Sequence, residues 1–404
     1  MADYKETAER LGYSKLYPWQ DKVFAYAVKG GDFIMIVKTS GGKSLIYIVL
    51  IAMDGSGLTI VVSPFRALQE DQVKRFCDMG LRAVLLNSDF SAKERREVLE
   101  HLDEVDVLFL APEQLAKEDL RDALEDVVVN RVVLDEAHTL PQSQAVFRPA
   151  FGEIGSFIDN LPRRPQVIAC TATATKEERE EIIRSLGMRK PETFTFPVRR
   201  ENLHLFVKAL AGGKDAESRL LHAVADELDD WNRKGCAIVY CNTVSRVKAL
   251  VKLLKARGYN VAKYTGKMKG KARRKNSDRF MSGEAKVMVA TSAFGVGIDK
   301  ANILLLIQAG LPLDFSMYVQ EVGRAGRDGR DSRCVLYYTG SDQKLNEQIL
   351  RTEAAGEDRR RKKELQIMQN YVKSGKCRWK TIEKYLGEKA DKKCGCCDNC
   401  IRKG

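Results

Sequence analysis

Apolar and polar positions along this chain alternate in blocks rather than residue by residue. Short runs rich in branched apolar side chains recur at residues 33–37, 59–62, 107–110, 132–134 and 167–169, and again at 237–240, 286–290, 304–307 and 335–338. Amphipathic stretches separate them. A continuous apolar run of this length predicts a strand buried on both faces, and its alternation with helix-like stretches predicts parallel sheets flanked by helices. The expected fold class is therefore α/β, with two parallel-sheet lobes in tandem. Residues 191–202, which hold two prolines and the Arg199-Arg200 pair, read as the connection between the lobes. After Thr339 the pattern turns helical and charged, which predicts a third, small unit that needs a staple to fold well.

Composition narrows the class. With 44% hydrophobic and 30% charged residues, the 404-residue chain reads as globular, with two or three domains on length alone. Lys and Arg number 68 against 55 Asp and Glu, a formal net charge of +13. That excess favours a polyanionic partner, although a merely basic enzyme fits it too. The longest apolar run, residues 45–53, falls well short of the ~20 residues that cross a bilayer. The first ten residues are polar and lack a signal-peptide core. An intracellular protein with no membrane partner is expected. Of ten cysteines, Cys77, Cys170, Cys236, Cys241 and Cys334 are scattered and read as buried thiols, whereas five crowd between Cys377 and Cys400. This usage suits a reducing compartment and one metal site better than a disulfide framework.

The chemistry gathers at the ends of the apolar runs, where open α/β sheets place their ligands. Thr39-Ser40-Gly41-Gly42-Lys43-Ser44 follows the first run. Its glycines can bring backbone N–H groups around phosphate oxygens, Lys43 can reach the terminal phosphates, and Ser44 can ligate Mg²⁺. The full spacing of the phosphate-loop pattern fails, since Val37 stands at the first glycine position; an ordinary strand-to-helix turn is the plainer alternative. Asp135-Glu136-Ala137-His138 closes a second run. There Asp135 can hold Mg²⁺ and Glu136 can orient and deprotonate a water; a solvated acidic strand end is the alternative. Arg324 and Arg327, in a glycine-punctuated segment, can neutralise a transferring phosphoryl group, or simply form a solvated turn. Cys377, Cys394, Cys397 and Cys400 have the spacing of four thiolates on one structural Zn²⁺, with a metal-free redox cluster as the other reading. Cys396 receives no ligand role.

Taken together these residues resemble the RecQ family of DNA helicases, two-lobed motors of superfamily two with a DEAH-type acidic motif. The resemblance runs along nearly the whole chain: Tyr13, Pro18 and Gln20; residues 38–44; Ser63-Pro64 with Asp71-Gln72-Val73; Asp135–His138 in the acidic motif; Thr171-Ala172-Thr173; Asn242; Thr291 with residues 294–300; residues 320–328; and the zinc cysteines. It implies RecA-like lobes at 1–197 and 198–340 and a helical zinc-binding subdomain at 341–404. Tyr13 would stack on adenine and Gln20 would bond its edge. Asp299 and Gln320 would join the nucleotide site, and Arg327 would be the arginine finger with Arg324 as companion, facing Lys43 across one cleft. Ser63, Asn242 and Thr291, with Arg66, would grip DNA phosphates. Phe147 and Arg148 are what is left of the family's aromatic DNA-sensing loop.

The implied activity is ATP- and Mg²⁺-dependent 3′ to 5′ movement on single-stranded DNA, with unwinding of forked or junction duplexes in repair and recombination. The protein would act as a monomer, in the nucleus if eukaryotic or the cytoplasm if bacterial. The chain departs from the family at Ser40 (a glycine), Tyr17 (an arginine), Ser143 and Ala145 (a tryptophan and a histidine) and Gly310 (an acidic residue). Residues 401–404 leave no room for a winged-helix domain, so this is either a minimal family member or part of a longer chain, and unwinding by these residues is expected to rest on the lobes and the zinc unit. A translocase or annealing protein that unwinds weakly, a non-catalytic DNA-binding scaffold and an RNA helicase stay open as alternatives.

Overall fold

A computed structural model describes residues 3–38, 41–87, 89–144, 152–231, 235–295, 300–352, 359–390 and 392–402. The chain divides into two compact units, Met1–Val198 and Arg199–Gly404. The first is built on seven strands: β1 (Phe33–Ile36), β2 (Leu58–Val62), β3 (Ala83–Leu86), β4 (Val107–Leu110), β5 (Val129–Leu134), β6 (Gln166–Thr171) and β7 (Glu192–Thr195). They lie in the order β3-β4-β2-β5-β6-β1-β7, and every pairing is parallel. Side chains of one strand alternate between two separate cores. Ile34, Ile60, Leu108, Val132 and Val167 face helices Glu153–Asp159 and Lys176–Ser185, through Ile154, Phe157 and Ile182. Phe33, Val61, Phe109, Val133 and Ile168 face helices Pro18–Ala27 and Lys43–Asp54. Burial on both faces is why the interior strands are apolar at successive positions. The apolar run 45–53 lies in helix Lys43–Asp54, where Leu45 through Ile51 are all buried. Among the described residues no helix is long and apolar enough to cross a membrane.

The second unit repeats the plan with β8 (Leu203–Leu210), β9 (Cys236–Cys241), β10 (Val261–Tyr264), β11 (Val287–Ala290), β12 (Ile303–Ala309) and β13 (Ser332–Thr339), ordered β10-β11-β9-β12-β13-β8 and again wholly parallel. The helices that follow, including Arg359–Lys373, Arg378–Tyr385 and the short Asp398–Ile401, belong to this unit. They anchor on the edge strand β8: Trp379 Nε1 donates to the Leu203 carbonyl at 3.0 Å, and the Val207 amide donates to Asp398 Oδ2 at 3.2 Å.

All nine strands expected from apolar runs are present, and the four not expected, β3, β7, β8 and β10, are the outer strands of the two sheets. The reading of residues 191–202 as a connection is narrowed by β7, which takes up Glu192–Thr195 and pairs along β1, while the division between the units, at Val198 and Arg199, falls within that stretch. Only Phe194 of that strand turns inward, where it meets Tyr26 and Phe33 edge-on at 5.7 and 6.0 Å. An outer strand with one buried side chain has no apolar run to show. Cys77 is likewise exposed rather than buried, because its neighbour Phe76 takes the core-facing position on helix Arg66–Asp78.

Candidate active site

In the first unit the register places the C-terminal ends of β1, β2, β5 and β6 side by side: Ile36 pairs with Thr171, Val62 with Leu134 and Leu134 with Ala169. The phosphate loop, Ser63, the acidic motif and residues 171–173 all leave from this one sheet edge, as expected for ligand sites in parallel sheets. After β1 the chain turns through Gly41 and Gly42 into helix Lys43–Asp54. Gly42 caps that helix at φ 86°, and a Cβ on Gly41 would lie 2.5 Å from Val37 Cγ1, so both positions call for glycine. Lys43 and Ser44 therefore occupy the first turn of a helix, where free N–H groups and the macrodipole favour an anion.

Asp135 follows β5, is 4% exposed, and accepts from Gln72 Nε2 at 3.1 Å and from the Glu136 amide at 3.0 Å. Burial and the adjacent Glu136 carboxylate raise its pKa, against the pull of the Lys43 ammonium. Two neighbouring carboxylates, one of them desolvated, at the sheet edge from which the segment carrying the Ser44 hydroxyl also departs, offer hard-oxygen ligands that suit Mg²⁺. Glu136 itself has φ 52°, a left-handed conformation that costs a non-glycine residue energy and is characteristic of functional turns. His138 Nδ1 stands 3.4 Å from Glu136 Oε2 and 3.0 Å from Thr171 Oγ1, and Thr171 Oγ1 donates to the Thr173 carbonyl at 2.9 Å. His138 thus joins the acidic motif to the end of β6. Neither this contact nor the one from Gln72 was assigned from sequence, although both residues lie in segments singled out there.

Gln20 is 1% exposed and its amide is engaged locally: Oε1 accepts from the Tyr17 amide at 2.8 Å and Nε2 donates to the Gly42 carbonyl at 3.2 Å. It ties the segment beside Tyr13 to the phosphate loop. Tyr13 is half-buried and accepts from Arg75 Nη2 at 2.8 Å. Ser63, expected to grip phosphates, is fully buried after β2 and its hydroxyl has no hydrogen-bond partner. Thr39, Ser40, Phe147, Arg148 and Asp299, with the side chain of Arg66, lie outside the described residues.

In the second unit, helix Phe315–Val322 carries Gln320, half-buried, and leads into the loop bearing Arg324 and Arg327. Arg324 is 8% exposed and lies against Gly295, where a Cβ would come within 3.1 Å of its guanidinium. Glu321, buried beneath, accepts from Gln308 Nε2 at 2.5 Å; burial lifts its pKa to about 7, against the influence of that hydrogen bond and of Arg324. Asn242, after β9, donates to the Leu311 carbonyl at 2.5 Å and to Asn346 Oδ1 at 3.2 Å, so its amide is engaged within the unit. Thr291, after β11, is half-buried, and its amide donates to the Tyr264 carbonyl at 3.1 Å.

Cys377, Cys394, Cys397 and Cys400 place all four sulfurs within 4.8 Å of one another. The Cys394 to Cys400 separation is 3.8 Å, which matches the ~3.8 Å edge of a tetrahedron with Zn–S bonds of ~2.3 Å. The Arg378 amide points at Cys397 Sγ at 3.4 Å and the Cys394 amide at Cys377 Sγ at 3.3 Å, the donors that thiolates require. The set fits a closed, structural zinc site, and Cys396 is not part of it.

Known proteins agree with this arrangement. Residues 17–182 match the DEAD/DEAH box helicase family, 219–329 the helicase conserved C-terminal domain, and 340–401 the RecQ zinc-binding family. The probable ATP-dependent DNA helicase RecS of Bacillus subtilis is 33% identical over 85% of this chain and 68% of its own length. The chain belongs to the RecQ family of helicases. The ATP-dependent DNA helicase RecQ of the same organism is 34% identical over 97% of this chain, which spans 66% of that relative's length. In fold, the Mycobacterium smegmatis helicase Lhr, bound to single-stranded DNA and AMP-PNP, superposes with a TM-score of 0.67 at 20% identity, covering 87% of this chain and 50% of the other. Zinc at the four cysteines is the metal of the RecQ zinc-binding family, and ATP with Mg²⁺ belongs to the DEAD/DEAH box family.

Proposed function

We propose that this protein is an ATP-dependent DNA helicase of RecQ type that moves 3′ to 5′ on single-stranded DNA and parts duplex ahead of it, serving repair or recombination inside the cell. The observation that carries the reading is the convergence of Lys43, Ser44, Asp135 and Glu136 on one edge of a parallel sheet, with His138 linking them to Thr171. Lys43 and the first-turn amides bind the triphosphate. Ser44 and Asp135 hold Mg²⁺, which supplies charge neutralisation at the phosphates. Glu136 orients and deprotonates water, while Arg324 and Arg327 stabilise the charge of the transferring phosphoryl group. Tyr13 and Gln20 serve the base, with Gln20 passing its position to the phosphate loop. Asp299 and Gln320 complete the nucleotide site.

DNA is gripped through phosphates, which suits a motor that ignores sequence. Ser63, Arg66, Asn242, Thr291, Phe147 and Arg148 take part, and the basic segment 267–275 adds charge. The protein acts as a monomer on forked or junction DNA, organised as lobes at 1–197 and 198–340 with a zinc-binding subdomain at 341–404.

ATP hydrolysis measured with and without single-stranded DNA tests this. Stimulation by DNA, and a loss of at least ~100-fold in Lys43→Ala, is expected. DNA-independent or absent hydrolysis removes the reading. Strong hydrolysis without strand separation on a 3′-tailed fork favours a translocase or annealing protein instead.

A further inference from the structure

Arg200 is a cation almost entirely withdrawn from water, at 9% exposure. Its guanidinium donates to the carbonyls of Gly323 at 3.1 Å, Ala325 at 2.8 Å and Gly326. These carbonyls belong to the turn that carries Arg324 and Arg327, just past the end of helix Phe315–Val322, where a helix leaves its last carbonyls unpaired. Asn202 Nδ2 adds bonds to the Gly326 carbonyl at 2.8 Å and the Arg330 carbonyl at 2.9 Å. Gly326 sits at φ 56°, and a Cβ there would lie 2.6 Å from both Asn202 Nδ2 and Ser332 Oγ. The turn is therefore held through its backbone carbonyls.

The preceding residue grips elsewhere. Arg199 donates from Nη2 to Glu383 Oε2 and to the Lys392 carbonyl, both at 2.8 Å, and its Nε lies 2.6 Å from Glu383 Oε1. Glu383 is on helix Arg378–Tyr385, capped by the zinc thiol Cys377, and Lys392 stands two residues before the zinc thiol Cys394. A planar guanidinium presents five N–H donors in a fixed fork spread over three nitrogens, whereas an ammonium offers three from a single nitrogen on a flexible stem and cannot span acceptors so far apart.

We infer that Arg199 and Arg200 form a two-headed clamp, in which Arg200 positions the turn bearing Arg324 and Arg327 and Arg199 ties that position to the zinc-held helices. This rests on the proposed role of Arg324 and Arg327 in ATP hydrolysis. Both clamp arginines are positioning residues, acting on the reaction through the backbone of a neighbouring loop. A buried guanidinium is costly to the fold, and burial lowers the Arg200 pKa. Among the described residues its hydrogen bonds go to these three carbonyls alone.

The test uses Arg200→Lys, Arg199→Gln and, as a second route to the same turn, Asn202→Ala in the full chain. Zinc content, thermal unfolding, and kcat and KM for ATP with saturating single-stranded DNA are measured well below the melting temperature. Arg200→Lys should lower kcat at least ~10-fold while KM for ATP and zinc content stay near wild type. Arg199→Gln should lower kcat in the same direction by ~3-fold, and should not add to the effect of Arg200→Lys when the two are combined. If Arg200→Lys does not fold, Asn202→Ala carries the test, with a ~3-fold loss of kcat expected. Folded variants with kcat within about twofold of wild type overturn the clamp while leaving the helicase reading intact. A wild-type protein that hydrolyses no ATP overturns that reading, and the clamp with it.

Discussion

Glu321 holds its carboxyl in the core of the second unit, one helical turn before Arg324, and its pKa of about 7 makes it a pH-dependent liability. Below its ordinary value of 4.5 the group is protonated in both folded and unfolded chains and contributes nothing. From there to about 7 the folded protein keeps a proton that the unfolded chain has lost, so stability falls as pH rises, by ~1.4 kcal/mol per pH step at most. Above 7 the loss is complete. Glu321→Gln, which keeps an acceptor for Gln308, should match wild type in thermal unfolding near pH 4.5 and be more stable at pH 8 by on the order of 1–3 kcal/mol. An equal difference at both pH values would show that ionisation of this carboxyl is not the cause. At this scale the sequence was uneven as a guide. Lys43, Asp135, Glu136 and the zinc cysteines were legible because each sits in a short motif with its own spacing. Gln72, His138 and Arg200 were not assigned, because what gives them meaning is a partner 63, 33 and 125 positions away, brought close only by the sheet and the turn.

Elements were legible in proportion to how completely they are buried. A strand with neighbours on both sides and helices on both faces is apolar along its buried stretch, and each interior strand announced itself even where polar residues sit near its start, as Asn130 and Arg131 do in β5 and Ser332 and Arg333 in β13. Outer strands escape that demand: β10 carries Lys263 outward, and β7 exposes both its glutamate and its threonines. The junction from β1 into helix Lys43–Asp54 carries its own prediction. At Gly42, φ 86° disfavours any residue with a Cβ, by ~1–2 kcal/mol, and that Cβ would also press within 3.0 Å of Gln20 Nε2. Gly42→Ala should therefore lower the melting temperature modestly and weaken nucleotide binding more than the stability loss accounts for, since the loop amides and Gln20 shift together. Isothermal titration with a non-hydrolysable ATP analogue beside a thermal melt separates the two effects; unchanged affinity in a destabilised protein would remove Gln20 from the nucleotide site.

For the whole molecule, the excess of 68 basic over 55 acidic residues becomes informative once the basic segment 267–275 is placed. Its residues lead into helix Gly270–Met281, whose first turn contains no acidic residue to offset Lys271 and Arg273. A phosphate-gripping protein should lose affinity steeply with salt, with a log–log slope of about −0.7 for each phosphate contacted on single-stranded DNA. Replacing Lys267, Lys269 and Lys271 by Gln should make that slope shallower by ~1–2 if they touch DNA, read by fluorescence anisotropy across a salt series. A parallel pair of lines, wild type and variant, would return those lysines to the role of solubilising charge.

The docking of Trp379 and Asp398 on β8 has a consequence for how this protein is born. The opening strand of the second unit is met, on its outer side, by residues translated almost two hundred codons afterwards. A ribosome finishing the sheet from β9 to β13 would thus carry a nascent chain whose first strand still lacks its cover. The interval before the cysteine-rich segment emerges and captures its metal is when a chaperone, or a zinc shortage, would have most influence on yield.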